Sequence, residues 1–204
     1  MRARAAYSIS YERCPMTYAQ ITPPSAEALT LAGVKAHLRL DTSDEDELVA
    51  GLIAVAREHL ERSTGLCLMT QRWRLYLDSI CEDGVIPIAR GPVQAIVAIT
   101  VYDELGQPSI VPLEGYVLDG IRQPARLMLR QRLSSGRAVN GIEIDFVAGF
   151  GPTANDVPDT LKRAMLTHVA QMFSCRGVIG IEDQPALIPP GYDRLVAPFL
   201  LRSL

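Results

Sequence analysis

The chain has 204 residues, 48% of them apolar, enough for a real core in one domain or in one domain carrying an insertion. Its formal charge of −3 excludes the clustered basic footprint of a general nucleic-acid binder, and no apolar run approaches the ~20 residues that span a bilayer. Cys14, Cys67, Cys81 and Cys175 are scattered without a C-x-x-C pair, which argues against a zinc site or a disulfide scaffold and fits reduced thiols.

Residues 1–28 show no periodicity, and Pro23-Pro24 marks them as an extended lead-in. Arg occurs early, but no continuous apolar core follows, so a secretory signal is not expected. Thr30 is placed to cap a short helix through about Arg39, with Leu31, Val34 and Leu38 on one face. A second helix opens on Asp44, Glu45, Asp46 and Glu47, with Thr42-x-x-Glu45 and Ser43-x-x-Asp46 as box-like caps. Its predicted apolar stripe is Leu48, Leu52, Val55, Ala56 and Leu60, and Gly65 is its predicted stop.

From Trp73 the period changes to two: Trp73, Leu75 and Leu77 alternate with Arg74, Tyr76 and Asp78. Further strands are predicted at Val85–Ile88, Val93–Tyr102, Ser109–Val111, Tyr116–Leu118, Arg126–Leu133 and Ile142–Ala148, separated by Gly, Pro and Asn turns. After Gly149-Phe150-Gly151-Pro152 helical spacing returns in Leu161, Met165, Val169, Met172 and Phe173, with Pro158 near the first turn. The predicted class is α+β. Residues 29–72 and 156–178 form a helical bundle, 73–151 an inserted antiparallel β sandwich or barrel, and 179–204 a linker and docking tail.

The candidate sites are sparse. The acidic run Asp41–Glu47 lacks the glycine and the terminal acid of a calcium loop, since Asp46 and Leu52 stand at those positions, and it reads as a helix start. Gly149-x-Gly151-x-x-Ala154 echoes a dinucleotide fingerprint, but Pro152 and the late helix start keep the glycines off a helix N-terminus, so a turn is predicted. His37, His59 and His168 lie far apart without paired spacing, and no nucleophile elbow is present. No catalytic, cofactor-binding or metal-ligating residue is therefore nominated. Arg130 and Arg132 belong to the one basic cluster and read either as charge protecting an edge strand or as a contact with an acidic partner or DNA. Leu195, Val196, Phe199, Leu200, Leu201 and Leu204 load the tail with apolar surface, which either folds back on its own bundle or inserts into a neighbour.

Several pieces in order carry a family resemblance: T-L-x-x-V-K-A-H-L-R-L-D at Thr30–Asp41, the D-E-D-E-L helix, T-G-x-x-L-M-T-Q-x-W-x-L at Thr64–Leu75, I-x-R-G-P-V at Ile88–Val93, V-Y-D-x-x-G at Val101–Gly106, F-V-A-G-F-G at Phe146–Gly151, V-P-x-x-L-K at Val157–Lys162 and L-V-A-P-F at Leu195–Phe199. From Met16 onward the chain resembles the head–tail connector (adaptor) proteins of long-tailed bacteriophages and gene transfer agents, and residues 1–15 read as an extension. The resemblance implies a structural, non-enzymatic neck protein made in the bacterial cytoplasm and carried in the particle. It implies a homo-oligomeric ring, a dodecamer, that attaches to the portal protein and lengthens the DNA channel. It further implies a docking surface for stopper or tail proteins, contact with the major capsid protein, no membrane partner and no cofactor. The family pattern favours insertion of Leu195–Leu204 into the portal. The alternative is a small-molecule-binding or enzymatic domain whose site is not visible in sequence.

Overall fold

The computed structural model describes residues 16–80, 84–175 and 188–200. Its first element, β1 (Met16–Thr22), lies within the expected lead-in and pairs antiparallel with β2 (Gln71–Leu77). The lead-in is thus partly structural. Its main bonds are backbone bonds, and outward residues such as Thr17 and Gln20 give little side-chain alternation to read. Tyr18 is an exception: its hydroxyl accepts from the Ala89 N–H at 2.9 Å, and its ring meets Phe146 edge-on.

Helix α1 (Leu31–Leu38) begins as its sequence dictates, with the Gly33 N–H donating to Thr30 Oγ1 at 3.1 Å. Helix α2 (Asp46–Thr64) begins later than the acidic pattern suggested. Glu45 sits at its N-cap without a side-chain capping bond, so the boxes at Thr42 and Ser43 are not formed. The Asp46 carboxylate is instead drawn to Lys35 of α1, which ties the two helices together. The stripe of α2 also turns by one residue. Val49, Leu52, Ile53, Ala56 and Leu60 are buried, whereas Leu48 is 42% exposed. Leu52, Ala56 and Leu60 belong to both phases, which is why sequence periodicity does not separate them. The helix ends on Gly65 at φ 75°, where a Cβ would stand 2.7 Å from the Ala89 carbonyl oxygen.

The β lobe contains two antiparallel sheets. One has the order β1-β2-β8-β4-β5, with β4 at Val93–Tyr102, β5 at Pro108–Ile110 and β8 at Ile142–Ala148. The other has the order β3-β7-β6, with β3 at Val85–Ile88, β6 at Val117–Asp119 and β7 at Ala125–Met128. Leu75 and Leu77 of β2, Ile86 and Ile88 of β3, Leu127 of β7, and Ile142, Ile144 and Phe146 of β8 share one apolar core. Strand β8 alternates strictly between that core and Glu143 and Asp145, whose carboxylates clasp the Arg74 guanidinium from the neighbouring strand.

Helix α3 (Asp159–Ser174) follows a 3-10 turn at Ala154–Asp156, and Pro158 stands at its N-cap. Its inward residues Leu161, Ala164, Met165, Val169 and Met172 join those of α1 and α2 in a second core. The short crossing from α2 to β2 divides its side chains between the two cores: Leu66, Leu68 and Met69 enter the helical one, and Cys67 the β one. Alternating side-chain direction over Leu66, Cys67 and Leu68 makes this segment the seam of the molecule, and Met69 breaks the alternation by staying on the helical side.

Candidate interaction surfaces

The seam carries the main buried polar cluster. Glu61, near the end of α2, is 7% exposed. Its Oε1 accepts from the Leu68 N–H at 2.7 Å and from Gln71 Nε2 at 2.9 Å, while Oε2 accepts from Arg57 Nη1 at 3.2 Å. Arg57 Nε also donates to Glu27 at 2.9 Å, so one guanidinium bridges two carboxylates. Beyond Glu61, Trp73 Nε1 donates to Gln71 Oε1, and Arg90 lies 4.8 Å over the Trp73 ring while donating to the Glu61 carbonyl. Burial raises the Glu61 carboxyl above the ordinary carboxylate range against the opposing pull of Leu68, Arg57 and Gln71. Helical spacing alone does not reveal this cluster, because Glu61 occupies an ordinary helical position. Its bonds run from Glu61 of α2 to Leu68, Gln71 and, through Gln71, Trp73 at the start of the β lobe, so it fastens one lobe to the other.

The expected tail residues divide three ways. Helix α4 (Tyr192–Val196) and the turn Ala197–Phe199 lie against the helical lobe, with Val196 3% exposed and Leu195 and Phe199 packed on the same core. Of the two readings of the tail, the fold-back describes Val196, Leu195 and Phe199 in the single subunit, where they already have partners. Leu200 is 42% exposed, and Leu201 and Leu204 lie outside the described residues. Tyr192 anchors the tail, 3% exposed, with its ring 5.5 Å from that of His168 and 6.0 Å from that of His59. Burial, aided by Asp193, pushes its phenol up to about 12. Two of the three histidines, held to be far apart on sequence, thus meet through the packing of α2 on α3, with rings 5.1 Å apart. His37 remains exposed on α1.

Arg130 and Arg132 follow β7 rather than lie in it, and both are exposed. Strand β7 is the middle strand of its sheet, which overturns the edge-strand explanation for their charge. The two-residue alternation of Leu127, Leu129 and Leu133 continues past the strand's end and so overstated its length. Within the strand, Arg126 pairs across to Asp119 at 2.8 Å and holds that carboxyl below its usual range.

The glycine pattern serves chain crossing. Gly149 has φ 139°, and a Cβ there would lie 2.4 Å from the Met69 carbonyl oxygen; the Thr70 N–H donates to the Gly151 carbonyl at 2.9 Å. Asp156 then closes a capping box on Thr153. The acidic run is likewise spent on a turn and on Lys35. Among the described residues, no group of three or more His, Cys, Asp and Glu side chains is arranged to hold a metal ion, and no helix is long and apolar enough to cross a membrane. Cys67 is fully buried, and burial pushes its thiol up to about 12, the reverse of an activated nucleophile.

Two lobes fastened by a satisfied polar seam, with apolar side chains presented on outer turns, have the make-up of an assembly component. Residues 28–106 match the family model described as phage gp6-like head-tail connector protein, in agreement with the resemblance read from the sequence. No curated protein matches the chain in sequence. Solved structures do. A chain in the neck of an empty GTA particle, computed with C6 symmetry, superposes with a TM-score of 0.76 at 24% identity, covering 92% of this chain and 97% of that one. A chain in the virion of a native gene transfer agent particle gives 0.71 at 25% identity with the same coverage. A chain in the neck of a native GTA particle, computed with C12 symmetry, gives 0.60 at 24% identity, covering 90% and 97%. The fold is that of a particle neck protein.

Proposed function

We propose that this chain is the adaptor subunit of a phage-like particle neck: a ring-forming structural protein that attaches to the portal, lengthens the DNA exit channel and offers a docking surface to the stopper or tail. The observation that supports this best is the near end-to-end likeness to GTA chains, 92% of this chain against 97% of the other, together with connector-family sequence in residues 28–106.

The ring is homo-oligomeric with cyclic symmetry, in keeping with the C6 and C12 symmetries of the matched necks. Portal docking is carried by the end of the chain from Leu200 onward, with Leu201 and Leu204. Leu195, Val196 and Phe199 act as its root on the helical lobe, because they are packed there. The net charge of −3 suits a channel through which DNA slides without adhering. Arg130 and Arg132 lie on the β lobe, where they would meet an acidic face of a neck or capsid neighbour. Negative-stain microscopy of the purified chain mixed with its cognate portal tests the proposal. Stacked rings are the expected result, and persistent single subunits that ignore the portal would refute it.

A further inference from the structure

The β lobe exposes apolar side chains at both ends of its longest strand, and the two ends differ in shape and charge. At the start of β4, an open groove of about 680 Å³ runs between the lobes, walled by Leu66, Pro92, Phe150 and Phe199 and rimmed by Ile121 and Leu200. Ile121 is 93% exposed and stands beside the exposed part of Leu200, so the rim of the groove is a joint apolar edge rather than a single stray side chain. Its neighbour Arg122 is exposed and lies close enough to Asp119 to help lower that carboxyl, which leaves the guanidinium face open to solvent for a further acid. At the far end of β4, the turn into β5 presents Leu105, 84% exposed, beside the exposed Glu104. That turn is already set: Asp103 Oδ1 accepts from the N–H groups of Leu105 and Gln107 at 2.9 and 2.8 Å, and the Gly106 N–H donates to the Asp103 carbonyl.

One end is therefore concave, mainly apolar with Gln94 and Gln123 in its wall, and flanked by an arginine; the other is a convex, ordered knob with a leucine beside a glutamate. Ten residues of strand separate them by about 30 Å. Unlike and complementary patches at opposite ends of one rigid element make a head-to-tail contact, the kind that closes into a ring when the rotation per copy allows. We infer that the occupant of the groove is a second copy of this chain, whose Leu105 enters it beside Ile121 while its Glu104 faces Arg122. This rests on the ring reading above and adds the surfaces that make the ring.

Two variants test it, Leu105→Asp and Ile121→Asp, both on exposed turns where the fold has nothing to lose. Each alone should raise the concentration needed for self-assembly, or for assembly on the portal, about 10- to 100-fold, the effect of withholding one large apolar side chain from burial. Mixed one to one, they should give a discrete heterodimer by native mass spectrometry, because one copy keeps an intact groove and the other an intact knob, and no chain can propagate. Rings that form from either variant as readily as from the unaltered chain would overturn the inference while leaving the ring reading intact. An unaltered chain that stays monomeric even with the portal would overturn both.

Discussion

The seam offers the sharpest physical test of how this fold holds together. Replacing Glu61, itself 7% exposed, by Ala leaves the Leu68 N–H, the Gln71 side-chain amide and one arm of Arg57 without their acceptor. Breaking a buried pair by removing one partner costs about 3–5 kcal/mol. Arg57 keeps Glu27, so the lower end, about 3 kcal/mol, is expected. For a chain of this size that corresponds to a fall of about 6–12 °C in melting temperature. Glu61→Gln should cost no more than about 1 kcal/mol, because an amide oxygen still accepts from Leu68 and the penalty of burying a charge is lifted. The sign of the pH effect follows from the same site. Burial raises the Glu61 carboxyl, so its contribution is fully present below the unfolded carboxylate range and is lost as pH rises through its folded value. The unaltered chain should thus gain stability relative to Glu61→Gln on mild acidification. Urea unfolding of the three proteins at pH 5 and pH 8 measures both effects. An alanine variant within 1 kcal/mol of the unaltered chain would refute the claim that this cluster fastens the lobes.

Cys67 and Tyr192 are each pushed up to about 12 by burial, so their contributions are complete below their unfolded values, near 9 and 10, and fade as pH rises toward 12; unfolding curves from pH 8 to 11 should show that loss, reduced in Cys67→Ala. For the same reason Cys67 should resist thiol reagents at neutral pH until denaturant opens the fold. Val169→Ala on α3 should cost about 2–3 kcal/mol, measured by thermal unfolding, whereas Leu48→Ala on the outer face of α2 should stay within about 0.5 kcal/mol. Removing Leu200–Leu204 should leave the circular dichroism spectrum unchanged and abolish portal attachment in a sedimentation assay, while a cut that also removes Phe199 should lower stability by a further 1–2 kcal/mol, roughly.

Much of this architecture is legible in the chain because the dominant periods are clean. Leu75 and Leu77 against Arg74 and Tyr76, and Ile142, Ile144 and Phe146 against Glu143 and Asp145, leave little choice but strands, and Gly65 stops a helix where the backbone must turn left-handed. The boundaries blurred where a pattern outlived its element, as when the leucines after Met128 continued the alternation of β7 into a loop. Strand β1 was hidden because it is specified by backbone pairing to β2 rather than by its own side chains. The surfaces were least readable of all. Nothing in the spacing of Glu61 and Gln71, or of His59, His168 and Tyr192, shows that the packing of separate helices brings them together. Ile121 and Leu105 read as stray apolar residues in turns until the strand between them gives them a common axis.

Particle cryo-electron microscopy with an N-terminally tagged copy of this chain, labelled through the tag, tests the account most directly. The label should appear as a ring of cyclic symmetry at the neck, between portal and tail. Particles that carry the label elsewhere, or complete necks that lack the chain, would contradict it.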